Sequence, residues 1–264
     1  MNRNWCAVLI LPLLTIAITT SAFAQVRVVN YNIAKLNGNQ NAIAEVLQAA
    51  SDDDSLGFAT PVSIFLFQEV DASELAILQT AVGPNYSMAT FTDQNDSSWG
   101  GAQAMFFLAT QFDEDVASHV DIFTQASRHA DRWRLDVLGY DSASIYVYSM
   151  HLKASQGAKN VEKRRLGAEA VRDNIITLPA GSNVIVSGDM NFYSPNESGY
   201  IWFTDTGAGQ VIDPIGIGVP WGGSTYDYKH TQSPLENSIG ALVGGGMDDR
   251  FDFQFVSSNM IDQA

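Results

Sequence analysis

The chain has 264 residues, of which 46% are apolar and 16% charged, with a formal net charge of −15. That apolar content excludes a disordered chain, and the acidic balance excludes tight polyanion binding except through local basic groups or cations. A single cysteine, Cys6, excludes a disulfide framework and a thiolate cluster. Any metal must then be held by oxygen or imidazole, which favours Mg2+, Mn2+ or Ca2+ over structural zinc.

Residues 1–24 read as an export signal: Arg3 is the charged start, Val8 to Ile18 the apolar stretch, and Ala22-Phe23-Ala24 the cleavage pattern. The stretch is short of the roughly 20 apolar residues a membrane span needs. The expectation is a secreted or periplasmic protein without stable membrane insertion, a monomer, with one domain over 25–264.

Val26 to Ile33 reads as a first strand and ends in Tyr31-Asn32. Residues 41–50 have helical spacing through Ile43, Val46, Leu47 and Ala50. An acidic loop follows, Ser51 to Gly57, read as solvated. The strand Ser63 to Phe67 is apolar throughout, which fits burial on both faces. A helix over about 72–82 starts at Asp71-x-x-Glu74, a capping box. Short strands are predicted near 86–92 and 102–109, then a ribbon of Arg132 to Leu138 and Ala143 to Leu152 around Gly139–Ser142. The clearest helix covers 159–178, with Val161, Leu166, Ala170, Val171 and Ile175 on one side. The strand Asn183 to Val186 runs into Ser187-Gly188-Asp189. Residues 192–245 read mostly as loop, and Phe251 to Val256 as a last strand.

Three of these strands end in groups suited to phosphate chemistry: Gln68-Glu69, His151, and Asp189-Met190-Asn191. Each has a bland alternative: Glu69 a solvated strand end, His151 a satisfied core histidine, Asp189 and Asn191 a turn. Together they describe one site where several strands terminate, fit for a divalent metal, an activated water and a phosphate. Asn32 adds a neutral oxygen. Lys153, Lys159, Lys163, Arg164 and Arg165 form a basic island in an otherwise acidic chain, and Lys153, Arg164 and Arg165 are candidate phosphate contacts. Asp252 sits in an aromatic strand and needs a partner, whether histidine, arginine or metal.

Tyr31-Asn32-Ile33, Phe67-Gln68-Glu69-Val70, Ser149-Met150-His151-Leu152, Ser187-Gly188-Asp189-Met190-Asn191 and Arg250-Phe251-Asp252-Phe253 occur in this order. The set resembles the endonuclease/exonuclease/phosphatase superfamily, with the deoxyribonuclease-I-like fold, over about 26–257. The resemblance implies an α/β protein, a four-layer α/β/β/α sandwich of two mixed sheets. It also implies Mg2+- or Mn2+-dependent phosphoester hydrolysis. By the same resemblance Glu69 and Asn32 serve the metal, Asp189 the water, Asn191 the phosphate, and His151 the phosphate or the leaving oxygen.

Members of that superfamily carry a Ser-Asp-His-type segment whose histidine acts with the aspartate matching Asp252. The sequence given ends at Asp262-Gln263-Ala264 without one, so the expectation is a domain lacking its last strand. His230 is the only later histidine available to substitute. The expected function is phosphodiester hydrolysis of nucleic acid, DNA or RNA, with inositol phosphates and sphingomyelin-type lipids as other substrates of the superfamily. The alternative is an impaired or inactive relative acting as a binding module, or a gene fragment.

Overall fold

The computed structural model describes residues 25–53, 61–94, 101–124, 128–216 and 218–261. The expected export signal, the acidic loop from Asp54 onward and the last three residues lie outside the described residues.

The first sheet holds β1 (Val28–Asn32), β2 (Ile64–Val70), β3 (Tyr86–Met88) and β4 (Ala102–Leu108), in the order β1-β2-β4-β3. Its β1–β2 pair is parallel and the others antiparallel. The second holds β5 (Phe112–Glu114), β6 (Val120–Phe123), β7 (His129–Val137), β8 (Ser144–His151), β9 (Asn183–Asp189) and β10 (Asp252–Val256). Here the order is β10-β9-β8-β7, and β5 and β6 pair with successive stretches of β7. The β8–β9 pair is parallel. Both sheets are therefore mixed.

Strand alternation sorts the apolar side chains into three cores, and these define four layers. Phe65 and Phe67 of β2 face outward, with Phe106, onto Ile43 and Leu47 of α1 (Gln40–Asp52) and Leu78 of α2 (Leu75–Val82). Ile64 and Leu66 face inward onto Trp133, Leu135, Val147 and Ile185 of the second sheet. Tyr148, Met150, Val186, Phe253 and Phe255 face outward onto α3 (Ala158–Ile176) and α4 (Ser198–Thr204).

The helix predicted over 72–82 is a 3-10 turn, Ala72–Glu74, followed by α2. Its Asp71 N–H donates to Glu74 Oε2 at 2.7 Å, as the capping box requires. Among the strands and α-helices, three were not predicted: β5, β6 and α4. Each is three to seven residues long, too short to show a period. The inward face of α3 also differs from the predicted stripe. Arg164, Gly167, Ala168, Val171 and Ile175 are buried, while Val161, Leu166 and Ala170 are only partly so. A fully buried arginine can lead that face because a carboxylate, Glu197, meets it there.

Candidate active site

Strand register builds one side of the site. His151 of β8 lies opposite Asp189 of β9, and Asp189 lies opposite Asp252 of β10. Residues opposite one another across neighbouring strands point to the same face, so the three form a row across the second sheet. Gly188, one residue earlier, has φ +147°, and a Cβ there would lie 1.8 Å from the Met150 carbonyl oxygen. Only glycine lets β9 approach β8 that closely.

The other side comes from the first sheet and depends on a bulge. Phe67 faces outward and Gln68 inward, so regular alternation would send Glu69 outward. The β2–β4 register shifts between Phe67 and Val70, and Glu69 takes a left-handed φ of +56°. The bulge turns its carboxylate inward, a common use of such irregularities. Gly101 packs against that backbone; a Cβ there would lie 2.5 Å from the Glu69 carbonyl carbon.

Asn32, at the end of β1, ties the two halves together. Its Nδ2 donates to Glu69 Oε1 and to Asp189 Oδ2, both at 3.1 Å. Its Oδ1 accepts from the Ala34 N–H at 3.0 Å. His151 is 3.5 Å from Glu69 through Nδ1 and 3.4 Å from Asp189 through Nε2. Behind this cluster a chain of amides crosses between the sheets. Gln68 Nε2 donates to Ser149 Oγ at 3.0 Å and to Asn30 Oδ1 at 2.9 Å, and Asn30 Nδ2 donates to Asp252 Oδ1 at 2.9 Å.

Burial and neighbouring charge set the protonation states. Burial, with Arg128 and Lys153 nearby, holds the His151 imidazole well below its ordinary range and therefore neutral at pH 7. Burial and the Glu69 charge push Asp189 up to about 6, against the Asn32 hydrogen bond and Arg128. Burial and Asp189 raise Asp252 well above the usual carboxylate range, with Thr231, Arg250 and Asn30 opposing.

The structure thus brings together Glu69, Asn32, His151, Asp189 and Asp252. Asn191 follows directly, buried and with φ +52°, its Nδ2 donating to the Leu152 carbonyl at 3.3 Å. Lys153 is close enough to His151 to act on its charge. Arg164 is not a phosphate contact. It is fully buried against Glu197, donates to the Lys153 and Ser155 carbonyls and stacks over Tyr193. Arg165 spans Glu162 and Glu169 on α3 and lies over Trp202, so its charge is shared with that helix surface. His230 does not join the cluster. Its Nδ1 and Nε2 are each 2.8 Å from a carbonyl, of Met247 and Trp221. Arg250 does not pair with Asp252 but forms a two-pronged bond with Asp213 at 2.7 and 3.0 Å.

Arg128 was missed. It is 9% exposed, donates to the Leu152 carbonyl and acts on the charges of Glu69, Asp189 and His151. A lone arginine before a strand carries no signal until β7 is paired with β8.

The sequence matches the Endonuclease/Exonuclease/phosphatase family over residues 29–260. No curated protein sequence is significantly similar. Among solved structures, a mannosyl-6-phosphatase of Bacteroides thetaiotaomicron is similar with a TM-score of 0.61 at 17% identity, covering 89% of this chain and 86% of that one. The human Nocturnin catalytic domain with bound sulfate gives 0.57 at 20% identity, covering 88% and 83%. D. rerio TDP2 complexed with single strand DNA product gives 0.57 at 16%, covering 90% and 86%. The chain belongs to the Endonuclease/Exonuclease/phosphatase family, and this membership supports a phosphoesterase role.

Proposed function

We propose that this family member hydrolyses phosphoesters with the aid of a hard divalent cation, Mg2+ or Mn2+, and that its substrates are phosphodiesters of nucleic acid. The observation that carries the reading is the meeting of Glu69 and Asn32 from one sheet with the row His151, Asp189, Asp252 of the other.

The donor set suits such a cation. Glu69 offers a carboxylate that is a quarter exposed, and Asp189 Oδ1 is buried without a hydrogen bond from any described residue. All are oxygen donors, as hard ions prefer. Glu69 would hold the ion, with Asn32 fixing the carboxylate from behind. The bound ion would supply polarisation of the phosphoryl oxygen and a more acidic water.

The protein's own groups carry the rest. Asp189 orients the attacking water and accepts its proton, and its raised pKa keeps it basic enough to do so near neutrality. Neutral His151 donates an N–H to a phosphate oxygen or to the leaving group. Asn191 holds a phosphate oxygen in place of its long bond to Leu152. Arg128 and Lys153 offset the charge that gathers on phosphorus-bound oxygens.

A second reading, a small phosphorylated substrate rather than a polymer, is favoured by one observation. Arg164 and Arg165 are both taken up in ion pairs, which leaves the basic island much weaker than its composition suggests. The test is turnover of bis(4-nitrophenyl) phosphate, 4-nitrophenyl phosphate and plasmid DNA in Mg2+ or Mn2+, with and without EDTA. EDTA, Asp189→Asn and His151→Ala should each abolish turnover. Small-ester hydrolysis with intact plasmid selects the second reading; folded protein inactive on all three retires both and leaves an inactive relative. The proposal that the protein acts after export is checked by the mature N-terminus, expected at Gln25.

A further inference from the structure

The edge of the second sheet holds another group of ligand atoms. Asp121 on β6 lies directly opposite Asp131 on β7, and His119 enters just before β6. His119 Nε2 is 3.6 Å from Asp121 Oδ1 and 3.5 Å from Asp131 Oδ1, and the three ligand atoms lie within 4.8 Å of one another. Ligands bound tetrahedrally at about 2.0–2.2 Å stand about 3.4 Å apart.

Without an ion this arrangement is costly. Like charges directly opposite across strands repel. Asp131 is 0% exposed, and neither of its carboxylate oxygens accepts a hydrogen bond from a described residue. His119 Nε2 likewise has none. The nearby cations are engaged elsewhere: Arg132 with Asn174 and the Ser118 carbonyl, Arg134 with Asp115 and Asp136. A fully buried carboxylate whose nearest partners are one imidazole, at the long distance of 3.5 Å, and a second carboxylate has the form of an ion-binding group rather than of a hydrogen-bonded core.

We propose that His119, Asp121 and Asp131 bind a divalent transition-metal cation, Zn2+ or Mn2+, at a site separate from the one at Glu69. One imidazole with two carboxylates favours these ions over Mg2+ or Ca2+. Exposed Asp121 is the entry side, and water completes the coordination. The ion clasps β6 to β7, so its role is structural. Asp131 stands opposite Ser149, two residues before His151, which gives the clasp a short route to the active site.

The test separates the two ions by disabling the first. Stripped Glu69→Gln protein is titrated with Zn2+ and with Mn2+, and bound metal and Tm are measured. It should bind one ion, and a hundredfold excess over Kd should raise Tm by roughly 5–10 °C. Asp121→Asn, a change at an exposed position that should not disturb folding, or His119→Gln, added to Glu69→Gln, should remove both effects. If Glu69→Gln binds nothing, or Asp121→Asn and His119→Gln leave the binding unchanged, the proposal fails; His119 and Asp131 then share a proton instead.

Discussion

His151 with Asp189 and His119 with Asp131 are the same pair of side chains at nearly the same separation, 3.4 and 3.5 Å, yet their histidines shift in opposite directions. Burial lowers both. At His151, Arg128 and Lys153 push the same way, so the ring stays neutral. At His119, Asp131, Asp121 and Glu114 outweigh burial and raise it. The carboxylates differ as well: Asp189 has Asn32 and Arg128 to steady it, whereas Asp131 has only the histidine and rises to about 7. The protein supplies dipoles and cations where chemistry is expected. At the other cluster it leaves the charge for something else to balance.

The sharpest contrast comes from removing each carboxylate in turn. Asp189→Asn should lower kcat by about 10^3–10^4-fold while leaving Tm unchanged or higher, because a buried repulsion with Glu69 is relieved. A rate within tenfold of wild type would remove Asp189 from the chemistry. Arg164→Ala probes the scaffolding of the first cluster. Leaving Glu197 buried and unpaired should cost about 3–5 kcal/mol and loosen the segment carrying Lys153; a Tm unaltered by the change would show that the pair is dispensable.

Asp131→Asn should act through stability and pH. Its carboxyl is raised from 3.8 to about 7, so the native state holds a proton that the unfolded chain releases. The stability this lends is complete below pH 4 and lost as pH rises towards about 7. In chelator-treated protein the advantage of Asp131→Asn over wild type should therefore grow from pH 4 to pH 8, to at most about 4 kcal/mol. Melting curves that differ equally at all pH values would contradict this. Arg165→Ala, at a surface pair on α3, should leave both stability and KM nearly unchanged. Lys153→Ala should raise KM several-fold, and equal effects from the two would mean that the placement of the basic island is wrong.

The strand ends that build the active site were legible in the sequence because buried apolar runs such as Ile64–Phe67 and Val184–Val186 mark core strands whatever lies around them. The inward turn of Glu69 was not, since it rests on a bulge and on Gly101, more than thirty residues away. The basic island misled because composition cannot tell which arginine a helix turns inward; only Glu197, across the α3–α4 contact, decides that for Arg164. His119, Asp121 and Asp131 gave little signal. The His119-x-Asp121 spacing puts only two of them on one face, and Asp131 joins them through the β6–β7 register.

The amide chain from Ser149 through Gln68 and Asn30 to Asp252 has a mechanical consequence. The core between the sheets is apolar, and such packing resists separation better than it resists small sliding. Hydrogen-bonded amides tolerate little sliding. The active site is in effect a joint between two plates, with Glu69 and Asn32 on one and His151, Asp189 and Asp252 on the other. It works only while the plates are aligned, so warming should silence it before either plate comes apart.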